Sequence, residues 1–260
     1  MTSASRRVAV VTGATGAIGE AIARGLGDAG LSVVLAVRDE KKGEALAKRL
    51  AARGGDARVE VVDVGLARSI ERFAARWSGP LHALVNNAAI TPRRREVTEE
   101  GVERQLAVNV LGYVRMIRAL EGALAADGRG RVVNVASHYA GDLDEGDLEF
   151  VRRTYDNDTA YRQSKQANRM LTIVDAERLA GKKIAVNACH PGVVTSALAG
   201  SLGFSGPDTP DEGAATPLHL ALRVEGTTGK FFSGRAERAD GFARDRAAIE
   251  RLAERIARYG

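Results

Sequence analysis

Short blocks of consecutive apolar residues alternate along the chain with longer stretches in which apolar positions recur every three or four residues. The block Val8-Ala9-Val10-Val11 is apolar on both faces, as a central strand of a parallel sheet requires, so residues 7–12 read as the first strand. Residues 17–29 read as a helix ended by Gly30. Residues 32–37 form the second strand, and 40–53 a helix stopped by Gly54-Gly55. The same pattern places strands at 58–63, 81–86, 131–136, 184–188 and 230–233. It places helices at 66–77, two within 97–125, and others at 159–180, 211–222 and 243–258. Strands that alternate with helices in this way predict βαβ units. No internal repeat, Pro-rich linker or low-complexity tract divides the chain. Residues 1–260 are therefore read as a single doubly wound, Rossmann-type α/β domain with a mostly parallel sheet of about seven strands.

Composition narrows the chemistry. With 45% hydrophobic residues the chain is no disordered polymer, and its apolar runs are too short to span a bilayer. One cysteine and no Cys/His cluster of zinc spacing favour a reducing, cytoplasmic setting and no metal. The formal net charge is +5, and of the 38 basic residues only 7 are lysine. The charge is diluted along the chain. Its densest cluster, Arg93-Arg94-Arg95, is followed at once by Glu96, Glu99 and Glu100, and only 5% of residues are aromatic, so no nucleic-acid partner is expected. The arginine excess reads as solvated surface and as the composition of a GC-rich bacterial genome.

The first strand runs directly into Thr12-Gly13-Ala14-Thr15-Gly16-Ala17-Ile18-Gly19 and then into a helix. Glycines there let the backbone turn tightly and approach a phosphate, while the helix amino terminus offers N–H groups and a positive dipole. This context points to a dinucleotide, with Gly13, Thr15, Gly16, Ala17, Ile18 and Gly19 around it. Specificity belongs at the end of the second strand, where Val37 is followed by Arg38. A cation there suits a ribose 2′-phosphate and favours NADP(H) over NAD(H). Asp39 follows directly, and a shift of one residue in the strand end would reverse that preference. Asp63 and Val64, at the end of the third strand, are placed to touch the adenine.

Tyr161 and Lys165 are four apart on a predicted helix and share a face. A tyrosine is a poor acid–base catalyst at neutral pH, but a nearby ammonium favours its phenolate. Ser137 ends the fifth predicted strand, at the carboxyl edge where open α/β sheets bind ligands, and its hydroxyl can hold a carbonyl oxygen beside the tyrosine.

With these motifs the chain resembles the short-chain dehydrogenase/reductase family over nearly its whole length. The resemblance rests on the Thr12–Gly19 loop, Asn86-Asn87-Ala88-Ala89, Val108-Asn109, Asn134-Val135-Ala136-Ser137, Tyr161 to Lys165, and His190-Pro191-Gly192 with Thr195. It implies that Tyr161 is the proton donor in reduction or the base in oxidation, and that Lys165 lowers its pKa and binds the nicotinamide ribose. It further implies that Ser137 orients the substrate oxygen and that Asn109 holds a water of the proton relay. Asn87, Ala88 and Ala89 then run beside the cofactor, while Pro191, Gly192, Val194 and Thr195 approach the nicotinamide. Two positions depart from the family pattern: Ala17 stands at the sixth loop position and Ala89 ends the Asn-Asn-Ala motif, where glycine is usual in both.

Against the family's shorter members, residues 141–158 are an inserted stretch, acidic and then basic at Arg152-Arg153. The insertion, the Arg38 region, Gln163 to Asn168 and Gly229 to Ser233 are similar to the retinol-dehydrogenase-like branch, which includes bacterial ketoreductases of aromatic polyketides. That likeness implies NADPH-dependent reduction of a bulky, apolar ketone or aldehyde, in secondary metabolism. It also implies a homo-oligomer, dimer or tetramer. The same scaffold can run as an alcohol dehydrogenase, and a non-catalytic NADP-binding regulator is a rival of another class. Residues 193–210 mix apolar side chains with small hinges, as a substrate lid does. Tyr155, His138, His190 and Cys189 are weaker candidates, read as packing or turn residues.

Overall fold

The computed structural model describes residues 6–260. Strand β1 (Val8–Thr12) leads into helix α1 (Ala17–Asp28), β2 (Ser32–Val37) into α2 (Glu40–Ala51), and β3 (Asp56–Val61) into α3 (Ala67–Ala75). After β4 (Ala83–Asn86), a widened π-helical segment Leu106–Leu111 continues into α4 (Gly112–Ala126). Then come β5 (Arg131–Val135), α5 (Asn157–Leu179), β6 (Ala185–His190), α6 (Ala197–Ser201) and α7 (Pro210–Leu222). The chain closes with β7 (Phe231–Ser233), β8 (Ala236–Arg238) and α8 (Arg246–Ala257). These strands form one sheet in the order β3-β2-β1-β4-β5-β6-β7-β8, parallel except for the β7–β8 pair. The expected single α/β domain is present.

The central strands are apolar on both faces because helices cover both. One core layer joins Ala9, Val11, Val33 and Leu35 of the sheet to Ile22 and Leu26 of α1 and Leu220 of α7. The opposite layer joins Val10, Val34 and Leu84 to Phe73 of α3, Met116 and Leu120 of α4 and Leu179 of α5. A third cluster packs Leu106, Val110, Met170 and Leu171 against Ile249, Leu252 and Ile256 of α8, with Leu148 among them. The apolar stripe of the last helix is thus core.

Several boundaries differ from the expected ones. The third strand sits two residues early, because Asp56 takes the position opposite Ser32 in the parallel register. Asp63 and Val64 consequently lie in the turn beyond it. Residues 97–103 are not α-helical: Val97 faces Glu103 across a tight turn, and the Thr98 amide donates to the Val102 carbonyl at 2.8 Å. The helix starts only where the Glu103 carboxylate accepts the amides of Gln105 (2.8 Å) and Leu106 (2.7 Å). The eighth strand is a polar, exposed hairpin partner with no apolar pattern to announce it. Its turn, Gly234-Arg235, has φ of +59° and +64°, the mirror-image geometry that matches strand twist.

Candidate active site

The order of strands reverses direction at β1 and β4, and the crevice beyond their carboxyl ends is where open α/β sheets hold ligands. Every predicted site residue falls after the carboxyl end of one of the first six strands, or on the helices that face that edge. The loop after β1 is built by its glycines. Gly13 has φ +62°, and a Cβ there would lie 2.8 Å from the Ala88 Cα. A Cβ on Gly19 would lie 2.2 Å from the Gly13 carbonyl oxygen. The loop and the segment after β4 therefore touch backbone to backbone. Thr12 Oγ1 accepts the amides of Asn87 (2.9 Å) and Ala88 (3.1 Å), and Asn87 Nδ2 donates to the Thr12 carbonyl at 3.0 Å.

Among the described residues no side chain caps α1, whose N-cap is Gly16. Its first-turn amides thus keep their hydrogen-bonding capacity, at the positive end of the helix dipole. Ala17 is exposed at this start, so its methyl group intrudes on nothing in the fold. Arg38 is exposed immediately after the buried Val37. The carboxylate of the neighbouring Asp39 caps α2, accepting the Lys42 amide at 3.1 Å. Asp63 Oδ1 accepts the Gly65 amide at 2.9 Å and fixes the turn after β3, with Val64 buried behind it. The donor set in this crevice, uncapped helix amides with an exposed guanidinium just after β2, fits a dinucleotide.

Tyr161 and Lys165 stand one turn apart on α5, with the Lys165 ammonium 5.6 Å from the Tyr161 ring centre. Lys165 is 2% exposed, and its Nζ donates to the Val135 carbonyl at 2.8 Å. Burial brings its pKa down to about 7. Burial also pushes the Tyr161 phenol up to about 12, against a hydrogen bond with Ser137 that works to lower it. Desolvation is the larger influence on both groups. Ser137 lies two residues past β5 rather than at its end, and its Oγ accepts the Tyr139 amide at 2.9 Å. Asn109 sits in the π segment. Its Oδ1 accepts the Ile90 amide at 2.9 Å, while Nδ2 donates to the Ile90 carbonyl (3.0 Å) and to Ser164 Oγ (3.2 Å).

After β6, Pro191, Gly192, Val194 and Thr195 border the same crevice. The Val193 amide donates to Asp208 at 2.6 Å and Thr195 Oγ1 to the Gly206 carbonyl at 3.0 Å, so residues 193–208 fold back on themselves. The short helix α6, absent from the sequence reading, bonds through Ser201 to Thr91 and to Asn157 Nδ2, the latter at 3.2 Å. Phe204 meets the Tyr139 ring edge-on at 5.0 Å.

The weaker candidates make contacts of their own. Tyr155 donates to the Pro92 carbonyl at 3.1 Å and serves to tie residues 141–156 down. His190 accepts the His138 amide at 3.3 Å, and burial takes its pKa to about 4. Cys189 is fully buried, and that burial raises its thiol pKa. Two residues escaped the sequence reading. Tyr113 donates to the same Val135 carbonyl as Lys165, at 3.2 Å, a long-range contact with no local signal. Arg169, four residues after Lys165, continues the Tyr161–Lys165 stripe along α5, and that spacing was the available clue.

The family profile described as "short chain dehydrogenase" matches residues 7–203. The chain is 38% identical over 256 residues to a probable oxidoreductase of Streptomyces antibioticus, covering 89% of this chain and 86% of that one. It is 35% identical over 257 residues to retinol dehydrogenase 13 of Mus musculus, covering 90% and 77% respectively. Among solved structures it is similar to an actinorhodin polyketide ketoreductase variant with NADPH, at TM-score 0.69 and 28% identity, covering 89% of this chain and 97% of that one.

Proposed function

The chain belongs to the short-chain dehydrogenase/reductase family of oxidoreductases, and from that premise we propose that it reduces the carbonyl of a bulky, apolar ketone or aldehyde with NADPH. The observation that carries this reading is the convergence of buried Ser137, Tyr161 and Lys165 at the carboxyl edge of the sheet, the edge at which α1 begins uncapped. The loop from Gly13 to Gly19 would hold the pyrophosphate, Arg38 the 2′-phosphate, Asp63 and Val64 the adenine, and Asn87 to Ala89 the middle of the cofactor. Lys165 would reach the nicotinamide ribose, and Pro191, Gly192, Val194 and Thr195 would border the nicotinamide. NADPH, when bound, supplies the hydride that adds to the carbonyl carbon.

Ser137 donates to the substrate oxygen and orients it. Tyr161 transfers its phenolic proton to that oxygen as charge develops there, completing the alcohol. Lys165, in its ammonium form, stabilises the phenolate left on Tyr161, and Asn109 fixes the water through which the proton is replaced. Burial holds the Tyr161 phenol in its protonated form, the form that donates in the reductive direction. The rim supports this substrate class. Of the six exposed large apolar side chains among the described residues, three, Tyr139, Val193 and Phe204, gather around this crevice. The relatives' names, a retinol dehydrogenase and a polyketide ketoreductase, support the same class.

A panel of ketones and aldehydes run with NADPH and NADH tests this reading. NADPH oxidation matched by alcohol formation is expected, and Arg38→Ala should raise KM for NADPH about tenfold or more while leaving NADH little changed. An equal effect on both cofactors would remove the specificity argument. Cofactor binding without any carbonyl turnover would favour the regulator.

A further inference from the structure

Arg169 is 7% exposed on α5, two turns beyond Tyr161 and one beyond Lys165. Its guanidinium is held on every side. It forms a two-pronged ion pair with Asp240, Nε to Oδ2 at 3.1 Å and Nη2 to Oδ1 at 2.6 Å. It stacks against Phe231 of β7 at 3.9 Å and against Phe242 at 4.7 Å. The remaining nitrogen, Nη1, faces the Ser137 carbonyl oxygen at 3.5 Å. Asp240 is fixed in turn by the Phe242 amide, which donates to Oδ1 at 3.0 Å. The neighbouring His138 ring meets Phe231 edge-on at 5.3 Å. The C-terminal segment 231–242 is therefore joined to the Ser137 backbone through this guanidinium.

We propose that Arg169, locked by Asp240, is a positioning residue that sets the backbone of Ser137 and so aims the Ser137 hydroxyl. The inference rests on the carbonyl-reductase reading but concerns residues that reading does not use. The physical argument is one of geometry. The Ser137 hydroxyl already accepts the Tyr139 amide, so its own proton is directed by the orientation of the 137–139 peptides. Those peptides lie beyond the end of β5; the His138 amide donates to His190 Nδ1 at 3.3 Å and the Ala140 amide to the His138 carbonyl at 2.9 Å, while the Ser137 carbonyl takes its anchor from Arg169. A planar fork that is buried, stacked and paired is rigid enough to provide one, which an ammonium on a flexible stem is not. Purely structural use of the pair would need no third nitrogen turned to Ser137, since the two prongs on Asp240 already neutralise the charge.

The test separates positioning from stability. Arg169→Met keeps apolar contact between the two rings but strands the Asp240 carboxylate, so the melting temperature should fall. The double variant Arg169→Met with Asp240→Asn removes the stranded charge and should recover much of that melting temperature. In both variants kcat should fall by roughly 10- to 100-fold, with KM for NADPH little changed, as misplacement of a reacting group does. Arg169→Lys should give an intermediate kcat. Hydrogen exchange supplies a readout free of turnover: peptides covering residues 136–140 should exchange faster in the double variant, while the rest of the sheet keeps its protection. If the double variant recovers kcat together with melting temperature, or exchanges as the parent does over 136–140, the pair is a structural clamp and the proposal fails. Absence of carbonyl turnover by the parent would instead overturn the reductase reading, and the exchange result would still decide the role of Arg169.

Discussion

At the amino end of the sheet His82, Asp127 and Arg131 satisfy one another; at the carboxyl end Lys165 bonds to neither Ser137 nor Tyr161. His82 is 2% exposed, yet its Nδ1 meets Asp127 at 3.0 Å and its Nε2 meets Arg131 at 3.1 Å. Arg131 also donates to the Ala221 carbonyl at 3.1 Å and to Glu225 at 3.2 Å. Lys165 is just as deeply buried, but among the described residues its three donors meet one carbonyl, at 2.8 Å. The two ends share a sheet, a burial depth and a supply of charged side chains. They differ in pairing. A closed network ties strands and helices together, whereas buried groups left partly unpaired hold perturbed pKa values and capacity for a ligand.

The largest effect that could break this comparison is at Lys165. Lys165→Met should lower turnover by about a thousandfold, since the phenolate on Tyr161 loses its counter-charge. It should nonetheless leave the melting temperature at pH 7 unchanged or raised, because a poorly paired buried amine is removed. A melting temperature lowered by several degrees would show that Lys165 is a structural group like those at the other end.

Next in size is Arg131→Met. This change leaves the rest of the amino-end network without its centre and should cost about 3 kcal/mol in denaturant unfolding. Turnover at 25 °C should stay within about twofold of the parent. A large loss of turnover with intact stability would erase the distinction between the two ends.

A smaller, sharper test is the pH dependence of stability. The Lys165 pKa is about 7 in the folded protein and about 10.4 when unfolded. Between those values the unfolded chain binds the proton and the folded one does not, so this group makes stability rise as pH increases through that window. Unfolding curves at pH 7 and pH 9.5 should show the increment in the parent and not in Lys165→Met.

Much of this arrangement was legible in the sequence because it is local. The apolar run at Val8 to Val11, the glycines that follow, and the four-residue spacing of Tyr161 and Lys165 each carry their structural consequence within one turn or strand. The place of Arg38 was legible for the same reason: it follows the buried Val37 directly and is exposed. What was not legible depended on partners far along the chain. The strand β8 shows no apolar pattern because its residues are exposed, and its pairing is fixed by the turn. Residues 97–103 carry helical periodicity but are held in a bridge, with the Glu103 amide bonded to Glu149 at 3.0 Å. Arg169 was passed over as one more arginine in an arginine-rich chain, since its meaning lies in Asp240, 71 residues away.

The most direct test of the account is Tyr161→Phe, measured for NADPH binding and for single-turnover reduction of the best ketone in the panel. The account predicts that NADPH binds as tightly as in the parent, that the protein melts within a few degrees of it, and that reduction falls by about a thousandfold. Reduction at the parental rate by the phenylalanine variant would contradict it, because the proton would then have to come from a group other than Tyr161.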